Sequence, residues 1–133
     1  MGEKRQDIEV PLICIVDDDV SVLEAIVGLI ESGGYLAKGF CSSEDFLAWR
    51  QLPNTACLIV DVTMPSISGF ELHRRLTANH YRIPTIFMTA YDDDDIRIRA
   101  SQAGVAGFLL KPFSDESLFQ TVDSALANRP AER

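Results

Sequence analysis

Short unbroken apolar runs alternate along the chain with stretches in which apolar residues recur every three or four positions. PLICIV at 11–16 is the first run, and it stops at three consecutive acids, Asp17, Asp18 and Asp19. That pattern fits a strand buried on both faces and followed by a polar loop. Leu23, Ile26, Val27 and Ile30 then fall at i, i+3, i+4 and i+7, which predicts a helix stopped by Gly33 and Gly34. YLAKGF at 35–40 reads as a weaker strand, expected at a sheet edge. Ser42 or Ser43 should cap a second helix that carries Phe46, Leu47 and Trp49, has Glu44 and Asp45 in its first turn, and ends at Pro53-Asn54.

CLIV at 57–60 is a second fully apolar strand, and it too stops at an acid, Asp61. A loop with Pro65 and Gly69 leads to a helix holding Phe70, Leu72 and Leu76. TIFM at 85–88 ends at Thr89, and GFLL at 107–110 ends at Lys111. Between these two strands, residues 93–103 form a helix with a thin stripe of Ile96, Ala100 and Ala103, closed by Gly104. The last helix carries Leu118, Val122, Ala125 and Leu126 behind a Ser114 cap. Five strands alternating with five helices imply right-handed crossovers, hence an α/β, doubly wound parallel sheet with helices on both faces.

Composition narrows the class. The 133 residues suit one domain; 47% are apolar and 24% charged, which argues for a folded chain. Twelve basic residues against 20 acidic ones leave a net charge of -8, the wrong sign for direct nucleic-acid binding or an anionic membrane. No apolar stretch approaches the length of a spanning helix, and the first residues do not read as a secretory signal. The expected location is the cytoplasm. Cys14, Cys41 and Cys57 lack zinc-site spacing and are expected to be buried, reduced thiols. His73 and His80 are expected to be solvated or capping, and Phe46 and Trp49 to pack against the sheet.

In a doubly wound sheet the functional crevice lies beyond the carboxyl ends of the strands. Here those ends carry Asp17, Asp18, Asp61, Thr89 and Lys111. Three converging carboxylates are costly without a cation. An all-oxygen donor set favours a hard divalent ion, magnesium first. A carboxylate nucleophile, a metal, a lysine and a hydroxyl together suit phosphoryl transfer to an aspartate.

The motifs IVDDD at 15–19, IVDVTMPSISGFEL at 59–72, FMTA at 87–90 and GFLLKPF at 107–113 resemble the receiver domain of two-component response regulators, over residues 12 to about 126. SSEDFL after the second strand and KPF after the fifth are most similar to FixJ-type regulators. The resemblance implies a flavodoxin-like (CheY-like) fold with strand order 2-1-3-4-5. It implies that Asp61 accepts a phosphoryl group from a sensor histidine kinase, and that Asp18, Asp61 and the main-chain carbonyl of Thr63 ligate Mg2+, with Asp17 acting through a metal-bound water. Thr89 and Lys111 would contact the phosphoryl oxygens. Phe108 matches the aromatic position that turns inward on activation. The output face would lie around helix 4, strand 5 and helix 5, with an effector or downstream protein, or a second copy on phosphorylation, as partner.

Two positions depart from the usual pattern. Tyr91 precedes four aspartates, Asp92 to Asp95, where a glycine and a short apolar stretch are usual, and Thr63 stands where many relatives carry arginine. Both flank the phosphoryl group and are expected to tune its lifetime. The acidic run reads either as a solvated helix start or as a segment that phosphorylation loosens. The expected boundaries are an N-terminal extension at 1–10, the receiver at 11–127, and a tail or linker start at 128–133, with the chain either stand-alone or part of a longer regulator. Two other classes compete. A flavin- or nucleotide-binding enzyme would need a phosphate-cradling loop after strand one, where this chain is acidic; a phosphate-independent interaction domain would keep the fold alone.

Overall fold

The computed structural model describes residues 9–128; the outer parts of the expected extension and tail, 1–8 and 129–133, lie outside the described residues. Five strands form one sheet: β1 Leu12–Val16, β2 Leu36–Phe40, β3 Cys57–Asp61, β4 Thr85–Thr89 and β5 Gly107–Leu110. Their order is β2-β1-β3-β4-β5, with every neighbouring pair parallel. The helices are α1 Val20–Ser32, α2 Ser43–Leu47, α3 Gly69–Ala78, α4 Asp94–Ala103 and α5 Asp115–Ala127. The expected fold class, strand order and helix count hold. No helix among the described residues is long and apolar enough to cross a membrane.

The central strands are apolar throughout because both faces are covered. Alternate residues of β1, β3 and β4 point to opposite sides. Cys14, Val16, Leu58, Val60 and Phe87 pack with residues of α2, α3 and α4, whereas Ile13, Ile15, Ile59, Ile86 and Met88 pack with α1 and α5. Cys14 and Cys57 therefore lie on opposite faces of the sheet and are buried as expected, whereas Cys41, just past β2, is exposed; no disulfide joins them. The edge strand β2 is the least covered, with Leu36 56% exposed.

The second helix is shorter than its apolar spacing predicts. Ser42 is the cap, and the helix ends at Leu47, leaving Trp49 outside it and Pro53-Asn54 in a separate 3-10 turn, Leu52–Asn54. Pro53 offers no N–H, and in a continuous helix its ring would clash with the carbonyl of Trp49, so an α-helix running from Ser43 through Pro53 is not available. Trp49 nevertheless packs edge-on against Phe40, ring centroids 5.2 Å apart, with the Lys38 ammonium over both rings. Phe46 is fully buried. Helix α4 starts one residue later than expected, capped by Asp93, and of its predicted stripe only Ala100 is buried, with Ala103 exposed.

Candidate functional site

All five strands run the same way, so their carboxyl ends share one rim. Backbone bonds hold the segments leaving those ends in line: the N–H of Asp17 donates to the Phe40 carbonyl at 3.1 Å, that of Val62 to Met88 at 2.9 Å, and that of Lys111 to Thr89 at 2.7 Å. The rim gathers three of the predicted side chains. The Lys111 ammonium donates to Oδ2 of Asp17 at 2.8 Å and to Oδ2 of Asp61 at 2.7 Å, bridging partners 94 and 50 residues away. The Asp17 side chain is 1% exposed, that of Asp61 9% and that of Lys111 17%.

The remaining oxygens are also engaged. Asp17 Oδ1 accepts the N–H of Asp19 at 2.9 Å. Asp61 Oδ1 accepts the N–H of Thr63 at 2.8 Å and its hydroxyl at 3.1 Å. Burial raises the pKa of Asp17, and the bonds from Lys111 and Asp19 offset only part of that rise. Burial pulls Lys111 the other way, yet its bonds to both carboxylates outweigh it and leave the ammonium more firmly protonated than usual. A buried ion triad of this kind survives because every member is hydrogen-bonded.

Thr89, fully buried at the end of β4, completes the rim: its hydroxyl oxygen accepts the N–H of Tyr91 at 3.1 Å, which leaves its proton free to donate. The Thr89 hydroxyl makes no bond to the triad's side chains. Asp18 departs from the expected convergence. It is exposed and makes no hydrogen bond or ion pair among the described residues, because successive residues of extended chain face opposite ways and Asp17 takes the inward position. Among the described residues no group of three or more His, Cys, Asp or Glu side chains stands as a ready metal cage. Asp18 instead lines a separate recess of about 360 Å3 with Cys41, Ser42, Glu44, Met64, Pro65 and Ser66.

The donor set still fits a divalent cation. Asp17 and Asp61 against Lys111 leave one uncompensated negative charge at the rim, and Asp18, next in the chain, adds a second carboxylate at its edge. Magnesium commonly takes one or two carboxylates with carbonyls and waters, so the oxygens present match its chemistry. They match a nucleotide poorly. A phosphate would need the amino end of α1, where the Asp19 carboxylate already accepts the N–H groups of Ser21 and Val22.

Phe108 is half-buried on β5, beside Phe87 of β4, with the Arg97 guanidinium 5.2 Å from its ring centroid. Tyr91 is 60% exposed. Within the acidic run Asp93 caps α4, in keeping with a helix start, and Asp92 pairs with Arg97 at 2.9 Å, a contact at a spacing of five that no helical periodicity signals. His73 corrects another expectation: it is half-buried edge-on to Phe87, 5.9 Å between centroids, and burial lowers its pKa. Its position on the sheet side of α3 decides this. His80 is exposed as expected.

Comparison with known proteins is consistent with this geometry. The response regulator receiver domain family matches residues 13–123. The chain is 35% identical over 133 residues to the response regulator protein TmoT of Ectopseudomonas mendocina, covering 100% of this chain and 60% of that protein. It is 35% identical over 119 residues to the transcriptional regulatory protein FixJ of Azorhizobium caulinodans, covering 90% of this chain and 56% of that one. The chain thus spans 50% to 60% of the length of these and similar curated relatives. Among solved structures, FixJ-N superposes with a TM-score of 0.84 at 30% identity, covering 94% of this chain and 100% of that one. The response regulator StyR gives 0.82 at 37%, covering 91% and 61%.

Proposed function

The chain belongs to the response regulator receiver domain family of two-component signalling, and from that premise we propose that Asp61 is its phosphoryl acceptor, in a magnesium-dependent reaction with a sensor histidine kinase. The observation that carries this reading is the Lys111 ammonium shared between the buried carboxylates of Asp17 and Asp61. One rim there joins a nucleophile, a fixed cation and, at the next strand end, the Thr89 hydroxyl.

A carboxylate oxygen of Asp61 attacks the phosphorus of a phosphohistidine; the new O–P bond forms as the P–N bond breaks, and the imidazole leaves with the electron pair. The bonds from Thr63 to Asp61 Oδ1 restrict the rotation of that side chain, so part of the orientation is fixed before the donor arrives. Lys111, already protonated and held at the rim, is available to the phosphoryl oxygens along with the Thr89 hydroxyl. Asp18, Asp61 and the Thr63 carbonyl would hold magnesium, with Asp17 contributing through water, and the ion would supply neutralisation of the charge on the transferred group. Thr89 and Phe108 are the proposed switch positions, Thr63 and Tyr91 the tuning ones, and the face of α4, β5 and α5 the output. We assign residues 11–127 to the receiver, place it in the cytoplasm, and take an effector domain, a downstream protein or a second copy as what reads that face.

Intact-mass measurement after incubation with acetyl phosphate tests the assignment. One phosphoryl adduct is expected with magnesium and none in excess chelator or in Asp61→Asn. An adduct that persists in either case overturns it.

A further inference from the structure

The SSEDFL run supplies two adjacent serines, and only one is used as a cap. Ser42 accepts the N–H of Asp45 at 3.1 Å. Ser43 is 1% exposed, and its hydroxyl donates to the main-chain carbonyl of Ile67 at 3.1 Å, 24 residues further on. A buried hydroxyl is unfavourable unless bonded, so the position of its acceptor matters. Ile67 lies in the loop that leaves β3 at Asp61 and enters α3 at Gly69.

That loop is tied at both ends. Near its start, Thr63 binds Asp61 Oδ1 through N–H and hydroxyl. At its end, the Gly69 N–H donates to the Val62 carbonyl at 3.1 Å. The approach is so close that a Cβ on Gly69 would meet the Asp61 carbonyl oxygen and Val62 Cα at 3.0 Å. Between these points Ser66 holds φ at 67°, a conformation that a serine keeps only where its surroundings over-determine it. Among the described residues the Ser43–Ile67 bond is the hydrogen bond that ties this loop to α2, beside the apolar packing of Met64 and Ile67 in the cluster that holds Phe46. It also bonds the neighbours in sequence of the two walls of the recess at Asp18, one made by Cys41, Ser42 and Glu44 and the other by Met64, Pro65 and Ser66.

We propose that Ser43 is a positioning residue for phosphoryl acceptance: its bond to the Ile67 carbonyl fixes the β3–α3 loop, and through that loop the orientation of Thr63 against Asp61 and the spacing of the two walls beside Asp18. The inference rests on Asp61 being the acceptor. Ser43 itself touches no reacting atom.

The test compares Ser43→Ala with Thr55→Val, which removes the buried Cys14–Thr55 contact at the opposite end of the sheet, and with Ser43→Thr, which restores a hydroxyl. The rate constant for phosphorylation by acetyl phosphate is measured at saturating magnesium, with urea unfolding alongside, and the Thr63 amide exchange rate is measured in metal-free protein. Ser43→Ala is expected to lose about fivefold in the rate constant, the worth of one neutral hydrogen bond, and to exchange Thr63 faster. Ser43→Thr should recover both, while Thr55→Val should change stability only. A parent-like rate and exchange in Ser43→Ala, or an equal loss of rate in Thr55→Val, overturns the role given to Ser43. A parent protein that gains no adduct overturns the assignment of Asp61 and this role with it.

Discussion

Replacing Lys111 by methionine keeps much of its aliphatic stem and removes the one cation bonded to Asp17 and Asp61 among the described residues. Two carboxylates are then left facing each other at a largely buried rim. At about 4 Å and an effective dielectric near 20, their repulsion is about 4 kcal/mol. Proton uptake by Asp17 sets a ceiling on that cost. From an ordinary pKa of 3.8, protonation costs about 4 kcal/mol at pH 7 and about 1.6 kcal/mol at pH 5, at about 1.36 kcal/mol per pH unit. Because burial already raises Asp17 in the parent, the true ceiling is lower. The expected loss is therefore about 3 kcal/mol at pH 7, falling to about 1 kcal/mol at pH 5. The sign follows from linkage: the folded-state pKa of Asp17, raised further in the variant, adds stability that is present at low pH and lost as pH rises through that value. The parent's own lysine contribution is constant over this range, since Lys111 titrates above its ordinary 10.5. Urea unfolding in chelator at the two pH values reads the difference, provided the slopes agree. A loss below about 1 kcal/mol at pH 7, or an equal loss at both values, would refute the claim that Lys111 neutralises this pair.

Asp18→Asn should leave metal-free stability level and abolish the magnesium-induced stabilisation, which in the parent reaches about 2.7 kcal/mol at a hundredfold excess over Kd and is read as a rise in melting temperature; equal shifts in both proteins would exclude Asp18 as a ligand. Burial first, then the hydrogen bond it donates to Asp123, push Tyr35 up to about 12, so this contribution to stability is intact below pH 10 and lost as pH rises toward 12. Tyr35→Phe should flatten that slope, and an unchanged alkaline profile would count against the contact. With a thiol reagent at pH 8, Cys41 should react quickly; Cys14, pushed up to about 11 by burial, and the buried Cys57 should react only on unfolding. More than one fast thiol would contradict the packing. Helix α4, which buries only Ala100, should lose amide protection across 91–103 on addition of beryllofluoride with magnesium. Unchanged protection there would return Asp92 to Asp95 to the role of a solvated helix start.

The strands were legible because the signal for each is local. LICIV, CLIV and IFM are apolar on both faces, and only a strand covered on two sides satisfies such a run. The cap Ser114 was legible for the same reason, since it binds an N–H three residues away, whereas the adjacent serines at 42 and 43 left two candidates of which Ser42 is the cap. Where the spacing misled, at Trp49 and at Ala103, it recorded apolar character without the geometry that decides whether a residue continues a helix or faces the sheet.

The site divides along the same line. Which residue types stand at the carboxyl ends of the strands follows from the order of the sequence alone, and so does their chemistry: Asp17, Asp18, Asp61, Thr89 and Lys111. Which of them meet does not. Lys111 sits between Asp17 and Asp61 while Asp18 faces outward, Thr63 turns its hydroxyl to Asp61, and Ser43 reaches Ile67. Except for the Thr63 contact, these arrangements span 24 to 94 residues or depend on which way a loop side chain faces. Local periodicity carries no information over such distances; the packing of the parallel strands into one sheet does.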